Sequence, residues 1–224
     1  MKPLFLGGIA LATVAAAGLF MASRLSDTVA PQSLTQVVNN SVATSAEAGT
    51  AEVLPDYVMG AETAPITLIE YASYTCPHCA TWHEEVLPAL KRDYIDTGKV
   101  KFIHREVYFD KFGLMAGQIA QCAGAPRYYA VSGLLYQTQH DWIGDGKPET
   151  IVANLNKIGL KAGLSAAQIE ACVGDKARLD QMVATYQANA GKDGISSTPS
   201  MVINGTKYGN MSYAELKKIL DGLN

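Results

Sequence analysis

A surplus of either charge is missing from this chain. Its 18 Lys and Arg stand against 21 Asp and Glu, a formal net charge of -3 over 224 residues. Without a basic excess or a long run of one sign, an electrostatic grip on nucleic acid is excluded as its task. Histidine (4) and methionine (7) are few and form no cluster, so nothing supports a copper or other metal carrier. Cysteine is scarce too, with four residues at Cys76, Cys79, Cys122 and Cys172. Aromatic residues are absent between Ser23 and Leu54, where Ser, Thr, Ala, Val, Gln and Asn take over without a period. That stretch, 23–54, reads as a disordered linker.

One long apolar run is present. Met1-Lys2-Pro3 leads into Leu4 to Ala22, free of charge, and Arg24 and Asp27 close it. A basic start, an apolar core and small residues at Ala15 to Gly18 or near Ala22 fit a secretory signal over 1–22. The run is also near the length of a retained single-span anchor, though its Ala and Gly content makes a weak one. The cleaved signal is the preferred reading. Either fate puts the cysteines outside the cytoplasm, where disulfides persist, so an extracytoplasmic, periplasmic location is expected.

The stretch Glu70 to Cys79 carries the chemistry. The strand-like run Ile66 to Tyr71 enters it, a helical pattern leaves it, and Cys76-Pro77-His78-Cys79 lies between. Two cysteines so spaced, after a strand and at a helix start, read as a thioredoxin-like redox pair. Pro77 suits the first helical position, where a missing N–H costs nothing. Cys76 then faces the unpaired N–H groups and positive dipole end of that helix, which favour its thiolate, and a cationic His78 adds to this. A stabilised thiolate leaves readily, so the disulfide is expected to be a strong oxidant. Glu70 interrupts a run otherwise suited to a buried strand. A lone buried carboxylate is costly, so its pKa is expected to be raised.

The globular part begins near residue 55. The first helix is expected to kink or restart at Pro88 and to end at Thr97-Gly98. Val100 to Val107 reads as a strand with Val100, Phe102 and His104 on one face. From about 113 to 190 the pattern is helical, with Leu179, Met182, Val183 and Tyr186 as one apolar stripe. Pro199 to Asn204 reads as a strand, Asn204-Gly205 as a hairpin turn, and Ser212 to Glu215 as a capping box. Leu216, Ile219, Leu220 and Leu223 give the last helix its buried stripe. Strand, helix, strand, helical insert, hairpin and helix make an α/β sheet with an insertion.

Cys76-Pro77-His78-Cys79, the helical insert and Thr198-Pro199 before the last strands together resemble the DsbA-type thiol:disulfide oxidoreductases over about 55–224. The resemblance implies an α/β thioredoxin-like fold with an inserted helical subdomain. It implies that Cys76 is the nucleophile, Cys79 the buried resolving thiol, and Glu70 a proton relay to Cys79. It implies a cis Pro199 beside the pair, with Thr198 offering main-chain hydrogen bonds to a substrate peptide. The family often sets a lysine beside the buried acid; here Phe102-Ile103-His104-Arg105 has none. Thr198 also departs from the enterobacterial form, which has Val. The resemblance further implies reduced, cysteine-bearing protein substrates and a DsbB-type membrane reoxidant, with no cofactor and no metal.

Plainer readings stand beside these. Pairing Cys76 with Cys79 leaves Cys122 and Cys172. They form either a structural disulfide, preferred in an oxidising compartment and closing a loop at about 4 kcal/mol, or two separate buried thiols. Cys76, Cys79, His78 and His83 could be nominated as metal ligands, but a closed zinc site pairs well-separated halves. His83 reads as an ordinary helix-face residue, and His104 and His140 as structural or exposed. Tyr74 and Thr75 are candidates to line a peptide groove, and Trp82 and Trp142 to pack in the core. The competing functions are an envelope reductase or isomerase, or a metal-binding or chaperone module. Isomerases of this class dimerise through an added segment, for which 23–54 is too polar, so a monomer is expected.

Overall fold

Residue pattern and strand position agree best at the centre of the sheet. In the computed structural model, which describes residues 53–223, the strands are β1 (Val58–Met59), β2 (Ile66–Ala72), β3 (Val100–Glu106), β4 (Ser200–Ile203) and β5 (Thr206–Tyr208). They form a five-stranded sheet in the order β1-β3-β2-β4-β5. β2, apolar on both faces apart from Glu70, is central; it runs parallel to β3 and antiparallel to β4. A strand covered on both sides needs such a composition. The short β1, which no sequence pattern announced, pairs antiparallel with β3. The expected signal or anchor at 1–22, and the linker at 23–54 except its last two residues, lie outside the described residues.

The helices follow their punctuation. α1 (Pro77–Glu85) starts with proline in its first turn and stops before Val86; α2 (Leu87–Leu90) restarts with Pro88 in its first turn. A π-helical turn at Lys91–Ile95 follows, a departure that sequence periodicity did not signal. Between β3 and β4 lies the helical insert: α3 (Lys111–Cys122), α4 (Tyr128–Gln137), α5 (Gln139–Ile143), α6 (Pro148–Lys161), α7 (Ala166–Val173) and α8 (Lys176–Lys192). Ser165 and Ser212 both make the reciprocal capping box, opening α7 and α9 (Tyr213–Asp221). Asn204 and Gly205 both take positive φ, 46° and 86°, as the tight hairpin joining β4 to β5 requires.

One core layer sets Ile66, Leu68, Phe102, Met201 and Ile203 of the sheet against Trp82, Leu90, Tyr94, Leu216 and Leu220. A second gathers Cys79 with Met115, Tyr136, Trp142 and Leu155 of the insert. Trp82 and Trp142 are core residues, as expected. Leu223 is not part of the stripe of α9: that helix ends at Asp221, and Leu223 beyond it is exposed.

Cys122 at the end of α3 and Cys172 in α7 form a disulfide, with Cα atoms 6.1 Å apart. It staples two helices of the insert across a long loop. Converting both cysteines to alanine is expected to lower the unfolding free energy by up to about 4 kcal/mol. Urea unfolding of the oxidised proteins measures this, and equal midpoints would exclude a stabilising role for the bond.

Candidate active site

Chain order alone brings Cys76 to a helix start. β2 ends at Ala72, a short loop turns, and Cys76 becomes the N-cap of α1 with extended backbone (φ -84°, ψ 118°). Its carbonyl accepts from Cys79 N at 3.1 Å and Ala80 N at 3.2 Å. Both sulfurs are free thiols in this structure; Cys76 is half-buried and Cys79 fully buried. The Thr198–Pro199 peptide is cis, and the Cys76 thiol donates to the Thr198 carbonyl at 3.7 Å. The resemblance had implied both the cis bond and a Thr198 main chain close to the pair.

The two thiols have opposite electrostatic settings. The hydrogen bond from the Cys79 thiol does most to lower the pKa of Cys76. Burial opposes it; the Thr198 side chain and the N–H groups of Cys79 and His78 add to it, bringing the value from 9.0 to about 5. His78 therefore acts here through its main chain, and its side chain is exposed. Cys79 is pushed upward by the same bond with Cys76, by burial and by the charge of Glu70. One sulfur is held as an anion and its neighbour as a thiol.

The loop that carries the pair is held from the insert. Buried Gln139 of α5 donates through Nε2 to the carbonyls of Tyr74 (2.8 Å) and Cys76 (3.0 Å). On the other side Thr75 Oγ1 donates to Asp110, which also caps α3 through Phe112 N and Gly113 N. Gln139 gave no sequence signal, because a lone glutamine among helices resembles any surface residue. Tyr74 does not line a groove. Its ring is buried, and its hydroxyl meets Ser132 at 2.7 Å and donates to Glu106 at 3.3 Å.

Glu70 is fully buried below the pair, as expected, but its surroundings overturn the expected direction of its pKa. Burial does push the carboxyl up. The charge that His83 takes up in acid, where the carboxyl titrates, and hydrogen bonds to Oε2 from His104 Nδ1 (3.1 Å) and His83 Nε2 (2.8 Å) outweigh it and hold the group well below the usual carboxylate range. His83 is thus not an ordinary helix-face residue but a buried partner of Glu70, and His104 takes the structural one of its two readings. Parallel pairing sets Glu70 opposite His104, while α1 brings His83 down from above. Burial lowers the pKa of His83 despite the attraction of Glu70, so its ring is neutral at neutral pH. His140 is exposed, as one of its readings had it.

Ligand atoms of Glu70, His83 and His104 all lie within 4.8 Å of one another, a donor set that a transition metal could use. The far ring nitrogens argue against it. A metal-bound imidazole carries its proton on the remote nitrogen and donates it to a partner. His83 Nδ1 and His104 Nε2 are buried without partners. The cluster therefore fits two neutral imidazoles donating to one carboxylate oxygen.

A family model described as thioredoxin matches residues 52–222. A putative protein-disulfide oxidoreductase of Rickettsia felis is 30% identical over 169 residues, covering 74% of this chain and 59% of its own. Disulfide bond formation protein D of Bacillus subtilis is 25% identical over 185 residues, covering 73% and 75%. The chain thus spans only about three-fifths of the length of the rickettsial relatives, 59–61% for three of them. Among solved structures, alpha-DsbA1 of Wolbachia pipientis superposes with a TM-score of 0.70 at 28% identity, covering 77% of this chain and 92% of that one.

Proposed function

The chain belongs to the thioredoxin family and resembles its DsbA-type members, and from this we propose that it donates the Cys76–Cys79 disulfide to reduced, cysteine-bearing proteins outside the cytoplasm. The observation that carries the reading is the split between the two sulfurs, with Cys76 lowered to about 5 and Cys79 raised. A couple whose reduced form gains a stabilised thiolate yields its disulfide readily.

The steps balance. A substrate thiolate attacks Cys76 Sγ; the Cys76–Cys79 bond breaks and its electron pair goes to Cys79 Sγ, which takes a proton. The substrate's second thiolate attacks its own sulfur in the mixed disulfide and expels Cys76 as thiolate. The substrate is oxidised and the enzyme reduced by two electrons. A groove beside the pair, lined by His78, Trp82, Val86, Met211 and Glu215 among others, offers room for a substrate segment. The Thr198 main chain, whose carbonyl lies 3.7 Å from Cys76 Sγ, is placed to meet a peptide joined to that sulfur.

Location outside the cytoplasm is supported by the Cys122–Cys172 disulfide, a bond that reducing compartments rarely keep. Among the described residues no helix is long and apolar enough to cross a membrane. Reoxidation by a quinone-linked membrane partner of the DsbB type completes the cycle. Equilibration with glutathione buffers tests the direction of electron flow. A potential well above about -270 mV, the thioredoxin value, is expected; a value at or below it would assign a reductant.

A further inference from the structure

The reaction proposed above needs a proton where water does not reach. Breaking the disulfide leaves an electron pair on buried Cys79, and remaking it requires the Cys79 thiol to lose its proton. In the resting dithiol that proton is engaged with Cys76. Once Cys76 is tied up in a mixed disulfide its anion is gone, and the charged acceptor whose field Cys79 already feels is Glu70.

The way Glu70 is held selects one of its atoms. Oε2 accepts from both histidines, at 2.8 and 3.1 Å, while Oε1 is buried with no partner. The unpartnered remote nitrogens, His83 Nδ1 and His104 Nε2, assign the tautomers. A neutral ring has one N–H, and here only the nitrogen facing Oε2 has anything to donate to. The cluster is a carboxylate with one oxygen anchored twice and the other bare.

We propose that His83 and His104 are positioning residues that pin Glu70 through Oε2 and so reserve Oε1 as the atom that takes the Cys79 proton when the dithiol is oxidised and returns it when the disulfide is reduced. The inference rests on the oxidoreductase reading. With glutathione disulfide as oxidant, the Cys76 thiolate attacks and releases one glutathione thiolate. The Cys79 proton moves to Oε1, Cys79 attacks Cys76 Sγ, and the second thiolate leaves with the electron pair. Glu70 then passes the proton to solvent. A neutral N–H donor orients the carboxylate through Oε2 without setting a permanent positive charge beside it, as a lysine would.

The groups facing the cluster fit this assignment. Tyr136 of α4 stacks on His83 at 3.8 Å with its hydroxyl unpartnered. Tyr74 meets His104 edge-on, Tyr128 lies tilted beside it, and Tyr129 OH accepts from His104 N. Burial raises the pKa of all four tyrosines. Glu106, two residues along β3, is taken up by Tyr74, Tyr108, Tyr128 and Gln121.

The test follows oxidation of the full-length dithiol by glutathione disulfide in rapid mixing across pH, reading loss of the mixed disulfide. Glu70→Gln is expected to slow ring closure about a hundredfold. His83→Ala and His104→Ala should each slow it about tenfold and shift the profile to higher pH. His104→Asn and His83→Gln place an amide N–H near the original Nδ1 and Nε2 and cannot titrate, so both should restore the wild-type profile. Alanine variants with the wild-type rate and profile would overturn the proposal. So would amide variants as slow as the alanine ones, since the rings would then carry the proton themselves; the amide variants also decide the matter if alanine prevents folding. A wild type inert to glutathione would instead strike the oxidoreductase reading.

Discussion

Cys76→Ser is expected to abolish thiol-disulfide turnover, while Cys79→Ala is expected to keep the first attack and trap its product. The reason lies in the different settings of the two sulfurs. Cys76 is half-buried, caps α1 and titrates at about 5, so at neutral pH it is a thiolate open to a partner. A serine hydroxyl there is neither ionised nor an electron-pair acceptor in exchange. Cys79 is buried and held as a thiol, so it acts only on a sulfur already joined to Cys76. Without it, a mixed disulfide formed by Cys76 has no internal way out. Insulin reduction measures the first variant, and non-reducing electrophoresis with mass analysis the second. Normal turnover by Cys76→Ser would remove the assignment altogether.

The reduction potential should change its pH dependence near pH 5, where the Cys76 thiol ionises. Above that point reduction yields one thiolate and one thiol, so two electrons take up one proton, about 30 mV per pH unit. Below it both sulfurs are protonated and the slope doubles to about 59 mV. The same titration enters the stability of the reduced fold. The folded pKa of Cys76 lies below its ordinary value of 9.0. Its contribution is therefore complete above the ordinary value, shrinks as pH falls, and is gone once pH passes below about 5. The disulfide form has no such term, so the reduced protein should gain stability over the oxidised one from pH 4 to pH 8. Thiolate absorbance against pH gives the pKa directly. Ionisation near 9, with one slope of about 59 mV through neutrality, would exclude a thiolate-driven oxidant.

Much of this molecule was readable from nearest neighbours along the chain. Ile66 to Tyr71 followed by Cys76-Pro77 specified a strand, a turn and a helix start with the sulfur at its cap, because strand composition and proline's fixed φ act within a few residues. The break at Pro88, the two capping boxes and the Asn204-Gly205 turn were legible for the same reason. Short-range steric and hydrogen-bond rules write themselves into short motifs. The protonation of Glu70 does not belong to that class. Its carboxyl was expected to rise because only its burial could be foreseen, and it falls because His83 and His104, 13 and 34 residues away, reach one of its oxygens. Gln139, 63 residues from Cys76, likewise meets the loop through packing of the insert. Such meetings depend on the register of β2 against β3 and on where α1 and α5 settle over the sheet. A one-residue slip of β3 would turn His104 to the opposite face, and no motif of this chain records that register.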